Sequence, residues 1–526
     1  MLLRFLAFAL ALCGASAHAL DAAQMRAIAA GDNDARIAAL QQAAAGSDPA
    51  LAGFAQALLD DAVKLDAGHV FIVRDGKATD AATGRELPLP DAVEDVVNNN
   101  RMRRELQATL AALKLFSPEP ALRAKAIAEL KDQADDSKLP LIEKAEAAET
   151  DAALKRQLGL LKASVLINSP DKAKRLAAVQ LLGASDHPGT RSLLRERLAA
   201  GGEADSEVRG QLQLALQSVE SRLAWGERAG LLFTGISLGS ILLLVALGLA
   251  ITYGLMGVIN MAHGELMMIG AYATYLVQSL FRAWLPPALF DLYIVAAIPA
   301  SFLASAFVGA VLERSVIRWL YGRPLETLLA TWGISLVLMQ AVRSLFGAQN
   351  VQVENPAWLS GGLQLMSNLT LPYNRIAIVV FAGLVLAGVA MLIAKTRLGL
   401  FVRGVTQNRR MAACMGVNTA RVDTYAFALG AGIAGLAGCA LSQVGNVGPD
   451  LGQSYVVDSF MVVVLGGVGQ LAGTVYAALG LGVLNKLLES WSGAVLAKIM
   501  VLVFIVVFIQ KRPQGLFAMK GRSAEA

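Results

Sequence analysis

Cysteine and histidine are scarce, with three of the first and four of the second in 526 residues. Cys13 lies near the start and Cys414 and Cys439 in the last quarter, so the long stretch between has no disulfide to hold it and must rely on helix packing. His18, His69, His187 and His263 are far apart and none belongs to an H-E-x-x-H pattern, so no metal site, cofactor or metalloenzyme is read from them. A phosphate loop is missing as well: VVVLGGVGQLAGT at 462–474 is glycine-rich, but no Lys-Ser/Thr pair follows its last glycine. The chain therefore has no catalytic residues to nominate and no means of hydrolysing ATP itself. Charge is sparse too, at 17% against 55% hydrophobic residues.

That shortage of charge is uneven. From 21 to about 228 the chain is rich in Ala, Leu, Glu, Arg and Asp, as a soluble helical domain would be. From 231 to 510 it is a series of apolar runs, several of them near the ~20 residues that cross a ~30 Å hydrocarbon core. The expected fold is all-α: a polytopic membrane helical bundle with broken helices, preceded by a periplasmic helical (HEAT-like) domain containing a small β-hairpin. Arg4, the apolar run 5–12 and the small residues Ala15, Ala17 and Ala19 fit a secretory signal peptide. The expected divisions are a signal peptide at 1–19, a periplasmic domain at 20–228, a permeation domain at 229–515 and a cytoplasmic tail at 516–526.

Within the exported region two segments repeat. SPEPALRAKAIAEL at 117–130 matches SPDKAKRLAAVQLL at 169–182, with Arg123 over Arg175, and AALKRQLGLLKASV at 152–165 matches SEVRGQLQLALQSV at 206–219. Two helix pairs of this kind predict a solenoid, each burying its apolar stripe on the next, with Ser-Pro as N-cap and first helical residue. HVFIVRDGKATDAATGREL at 69–87 alternates β-formers around Asp75-Gly76 and Thr83-Gly84 and predicts the hairpin, the one strand signal in the sequence.

The membrane half is threaded by charge. Apolar runs occur at 231–253, 261–280, 289–312, 325–345, 376–394, 424–441, 459–468, 474–488 and 495–510. Cations cluster at Arg314, Arg318 and Arg323, at Lys395 through Arg421, and at Lys511, Arg512, Lys520 and Arg522. Nine crossings from an exported N-terminus place all three clusters, and the C-terminus, in the cytoplasm, provided the two short glycine-interrupted runs after Ser459 both cross or form a re-entrant pair. The same clusters account for the net charge of +5, so no nucleic-acid partner is required.

Three stretches carry unexpected chemistry for a membrane. GLMGVINMAHGELMMIGAY at 254–272 sets Asn260, His263 and Glu265 inside an apolar region, where exposure to lipid would be costly. Either Asn260 caps the second span at an interfacial turn, with Glu265 near the positive helix end, or the turn folds back and these residues line the inner end of a substrate path. The glycines Gly466, Gly467 and Gly469 predict either close helix packing or unwound backbone beside a path whose outer mouth carries Asp450, Gln453 and Asp458. The loop TRLGLFVRGVTQNRRMAACMGVNTARV at 396–422 is long, cationic and helical in its middle, which invites a partner.

These stretches, with ERSVIRWLYGRPLETLLATWGISLVL at 313–338, resemble the membrane permease of the branched-chain amino acid class of bacterial ABC importers. VEDVVNNNRMRREL at 93–106 and NVGPDLGQSYVVDSFMVVVLGG at 446–467, with the exported extension, resemble the urea permease subfamily. The resemblance implies a second permease subunit, two cytoplasmic ATPase subunits, a periplasmic substrate-binding protein and a surrounding membrane lipid phase as partners. It also implies that Arg403, Gln407, Asn408, Arg409 and Gly416 form a short helix that docks on an ATPase, although the family often has an acidic residue where Arg410 stands. The expected function is urea translocation by alternating access. A permease for branched-chain amino acids or short amides, a passive urea channel or secondary transporter, and a signalling protein with a solenoid ectodomain are the alternatives.

Overall fold

The computed structural model describes residues 21–45, 49–66, 68–74, 77–90, 93–131, 135–199 and 202–517, so the expected signal peptide, the Asp75-Gly76 turn and most of the C-terminal tail lie outside the described residues. The chain divides into two compact units, 1–223 and 224–526.

The first unit begins with helices α1 (Ala22–Ala29), α2 (Asn33–Ala45) and α3 (Pro49–Leu59), and α4 (Asn100–Lys114) packs on α2 and α3 after a small sheet. The hairpin forms as β2 (Val70–Arg74) and β3 (Lys77–Asp80), with Ile72 opposite Thr79. It is not alone: β1 (Val63–Leu65) and β4 (Glu94–Asp95) extend it to the order β3-β2-β1-β4. Both added strands are too short to show a period in the sequence. The Asn run at 98–100 acquires a purpose here. Asn98 accepts from the buried Arg36 at 2.6 Å and donates to Leu58 O at 2.7 Å, while Asn99 caps α4.

The repeats follow, and each is a helix triplet rather than a pair. The first is α5 (Pro120–Leu130), α6 (Leu139–Ala148) and α7 (Ala152–Leu166); the second is α8 (Lys172–Leu182), α9 (Pro188–Leu198) and the start of α10 (Ser206–Met256). The expected Ser-Pro caps are displaced: Glu119 and Asp171 occupy the N-cap positions, and Ser117 and Ser169 accept from those residues' N–H groups at 3.3 Å. The matched arginines each close a repeat. Arg123 clamps Glu149 at 2.7 and 3.0 Å and also donates to Ser117 O, and Arg175 clamps Glu203 at 3.0 and 3.2 Å and donates to Ser169 O. Arg123 and the Asp151 N–H hold Glu149 below the usual carboxylate range; burial raises Glu203, but the Asp205 N–H and Arg175 outweigh it.

The second unit is a helical membrane domain. It continues α10 with α11 (His263–Trp284), α12 (Tyr293–Ser315), α13 (Pro324–Phe346), α14 (Tyr373–Lys395), two short helices α15 (Arg397–Gln407) and α16 (Arg409–Cys414), α17 (Thr419–Ser442), α18 (Leu451–Gly466), α19 (Leu471–Ser492) and α20 (Ala494–Lys511). A second hairpin that the sequence did not announce, β5 (Gly362–Met366) with β6 (Leu369–Pro372), precedes α14. Among the described residues seven helices are long and apolar enough to cross a membrane; α11 and α18 are not among them. The apolar run at 459–468 is the second half of α18, whose 16 residues reach roughly 24 Å.

Helix α17 is the centre of this unit, with most of its apolar stretch buried, whereas α14 and α20 bury little of theirs. Glycine permits that position. A Cβ on Gly430 would stand 2.6 Å from Gly248 O of α10, and one on Gly438 would meet Met267 O and stand 2.8 Å from Ala271 N of α11. Backbones thus touch directly, as small residues allow where lipid supplies no hydrophobic drive for association.

Candidate functional site

Helix α10 ends at Met256, yet His263 Nε2 lies 3.0 Å from Val245 O, about three turns before that end. Residues 257–262 therefore double back by roughly 16 Å along α10 before α11 begins. Gly257, at φ +64°, opens this return, in a region an L side chain enters with strain. Asn260 is not the cap of α11; Ala262 holds that position, and Asn260 Oδ1 instead accepts from the Ala262 N–H at 3.1 Å. Thr331 Oγ1 of α13 accepts from the Met261 N–H at 3.1 Å, and Ser335 of the same helix donates to Glu265 Oε1 at 2.7 Å. Asn260, His263 and Glu265 are all buried, the most exposed at 1%.

The start of α18 meets the start of α11 back to back. A Cβ on Gly264 would stand 3.1 Å from Gly452 Cα, and one on Gly452 would stand 2.9 Å from the Glu265 nitrogen. Two helix N-termini, each with a partial positive charge, thus converge inside the bundle. The two residue sets that lie nearly two hundred positions apart in sequence become one locus: Asn260, His263 and Glu265 on one side, Asp450 and Gln453 on the other. Several polar atoms here have no hydrogen bond: Asn260 Nδ2, His263 Nδ1, Glu265 Oε2 and Tyr272 Oη. Buried donors and acceptors left open are costly and are therefore informative.

From that junction a polar stripe runs down α18. Asp450, Gln453, Ser454 and Val457 are exposed and the Asp458 side chain is largely buried, spaced as one helical face. Asp458 reaches Lys498 of α20 at 3.8 Å. A carboxylate, an amide and a hydroxyl on one uncovered face of a membrane helix would be expensive against hydrocarbon, so that face meets water or protein.

A family model described as "Branched-chain amino acid transport system / permease component" matches residues 231–509, just over half of the chain. The chain belongs to this family. Curated relatives of the permease include the high-affinity branched-chain amino acid transport system permease protein BraD of Pseudomonas aeruginosa, 29% identical, and LivH of Salmonella typhimurium and Escherichia coli, each 28% identical. Each alignment covers 54% of this permease and 94% of the relative. No solved structure matches the chain. The permease is thus a multi-pass membrane protein of the branched-chain amino acid class of ABC transporters, a non-catalytic subunit.

The expected ATPase-contact residues of the permease occupy two helices. Arg403 and Gln407 lie on α15, Asn408 at φ −152° interrupts the helix and caps α16 by accepting from the Met411 N–H at 2.9 Å, and Gly416 ends the segment at φ +85°. Arg409 turns inward, forming a bidentate ion pair with the fully buried Asp423 of α17 and resting 5.0 Å over the Tyr321 ring. Gly466 is the last residue of α18, and Gly467 and Gly469 lie in the turn to α19 rather than in unwound backbone within a span; Gly467 has φ +97°, and the Leu516 N–H bonds to Leu465 O at 2.8 Å beside it. Gly469, Arg403 and Gln407 share a cavity of about 550 Å³ with Gly254, Val402 and Ala426; none of Asn260, His263 and Glu265 lines it.

Residues the sequence did not single out complete this end. Glu313 is fully buried, accepting from Thr424 Oγ1 at 2.7 Å, Tyr321 Oη at 3.2 Å and Arg318 at 3.4 Å. The signal was present as a carboxylate in ERSVIRWLYGRP, at the end of an apolar run.

Proposed function

We propose that the permease carries urea across a bacterial inner membrane by alternating access, as half of a pathway completed by a second permease subunit. The observation that carries this reading is the uncovered polar face of α18 descending from the junction of two buried helix N-termini. A face built of Asp450, Gln453, Ser454 and Asp458 calls for a protein neighbour or a water-filled path, and a two-subunit pathway provides both. Urea offers amide donors and a carbonyl acceptor, which the open atoms of Asn260, His263, Glu265 and Tyr272 complement without an added ion. Two cytoplasmic ATPase subunits, contacting the α15–α16 segment, supply the energy; a periplasmic substrate-binding protein delivers substrate. In this reading the first unit is periplasmic and the C-terminus cytoplasmic.

A second reading has its own support. The relatives BraD and LivH are branched-chain amino acid permeases by name, and helix N-termini with nearby carboxylates suit a zwitterion as well. The complete complex in proteoliposomes, given ATP and either labelled urea or labelled leucine, separates the two. ATP-dependent accumulation of urea with leucine excluded supports the first; the reverse transfers the assignment to the second, and uptake that persists without ATP removes the importer reading.

A further inference from the structure

The loop that ends in α16 is tied to the centre of the membrane unit by a closed network of side chains. Arg409 pairs through both guanidinium nitrogens with Asp423, in the first turns of α17, and covers the Tyr321 ring. Tyr321 Oη donates to Glu313 Oε1 at 3.2 Å and lies 2.8 Å from Met256 Sδ at the end of α10. Thr424, beside Asp423, donates to Glu313 Oε2 at 2.7 Å, and Arg318 reaches both Glu313 and Thr424, at 3.4 and 3.2 Å. The two carboxylates are completely buried, whereas the arginines keep about two-fifths of their side chains exposed. Such a pair is asymmetric: Arg409 could be solvated if released, but Asp423 would be left as an unpaired buried charge, among the costliest defects a fold can carry. Segment α16 is therefore bound to α17 far more firmly than a surface loop.

Helix α17 in turn touches the candidate pathway through backbone. Gly430 lies on Gly248, whose own Cβ position would be 3.0 Å from His263 Cε1, and Gly438 lies on Met267 and Ala271 of α11. Close-packed backbones of this kind shift together rather than deform.

We propose that Arg409 and Asp423 are a mechanical joint, positioning residues that make α16 and α17 move as one body and so carry displacement of the cytoplasmic loop to the start of α11. This rests on the reading of α15–α16 as the ATPase-contacting segment. It assigns Arg409 a role inside the permease, and leaves contact with the ATPase to exposed neighbours such as Arg403, Gln407 and Arg410.

The test uses the complete complex in proteoliposomes, with labelled urea or leucine as probe, whichever the wild type accumulates. Arg409→Gln and Asp423→Asn should each retain co-purifying ATPase and lower the substrate moved per ATP hydrolysed by tenfold or more. Asp423→Glu, which keeps the charge, should recover most of that ratio. The double variant should be no worse than either single one, because both break the same joint. Additive losses, or loss of ATPase binding on Arg409→Gln alone, would place Arg409 at the subunit interface and overturn the proposal. Should Asp423→Asn fail to insert, Arg409→Lys decides alone: it loses the bidentate geometry, so a wild-type ratio refutes the joint and a reduced ratio with ATPase retained supports it. If the wild-type complex itself binds no ATPase or moves neither probe, it is the importer reading that fails.

Discussion

Replacing Asn260 by alanine sets stability and transport against each other. The side chain has one hydrogen bond, from the Ala262 N–H to Oδ1 at 3.1 Å, and one buried amide nitrogen with no partner. Losing the bond leaves the buried Ala262 N–H without a partner and costs about 1–3 kcal/mol, while removing the unsatisfied Nδ2 donor returns about the same. The two terms nearly cancel, so Asn260→Ala should melt at or slightly above the wild-type temperature in detergent. Transport should respond otherwise. If Nδ2 serves substrate, one neutral hydrogen bond is lost on the path, again about 0.5–1.5 kcal/mol, which is a fall of about 2- to 12-fold in initial uptake rate at low substrate concentration. The assay pairs thermal unfolding of the purified chain with labelled-urea uptake by the reconstituted complex, normalised to assembled complex. Unchanged uptake at full assembly would refute the pathway role, and a drop in uptake that merely follows a drop in melting temperature would return Asn260 to a structural turn.

Three further outcomes are expected. Gly430→Ala places a methyl group 2.6 Å from Gly248 O and should destabilise the membrane unit by about 1–3 kcal/mol, seen as a lower melting temperature, whereas Gly388→Ala, in open space on α14, should not. Gly467→Ala must adopt φ +97° and would press its methyl group against Phe517 O, so it should cost at least about 1–3 kcal/mol while uptake per assembled complex stays near wild type; a selective loss of uptake would put this backbone on the path after all. In the first unit, Glu149 and Glu203 are held below the ordinary carboxylate range, so their stabilisation is complete above the unfolded value of about 4.3 and is lost as pH falls through and below it. Glu149→Gln should flatten that acid dependence, measured by protease susceptibility of the repeats against pH, and an unchanged profile would show that the clamp contributes nothing.

Much was legible in the residues alone. Apolar run lengths located, among the described residues, seven helices long enough to cross a membrane, since a bilayer of fixed thickness demands a continuous run; the runs at 261–280 and 459–468 belong to α11 and α18, which are not among them. The repeat was visible because Arg123 and Arg175 recur in register, each facing the same local task. Polar residues at 260, 263 and 265 announced themselves by their cost in an apolar setting. Tertiary structure decided which of these meet. No local rule relates Gly264 to Gly452, or Arg409 to Asp423, because helix packing is set by shape over the whole bundle and a glycine face carries no distinguishing chemistry in sequence. Glu149 and Glu203 were invisible for the same reason: a carboxylate in an Ala- and Glu-rich helical region looks like surface until its guanidinium partner is brought to it. Sequence fixes what each segment must avoid, water or lipid; only the packed chain decides which buried groups complete one another and which are left open for something else.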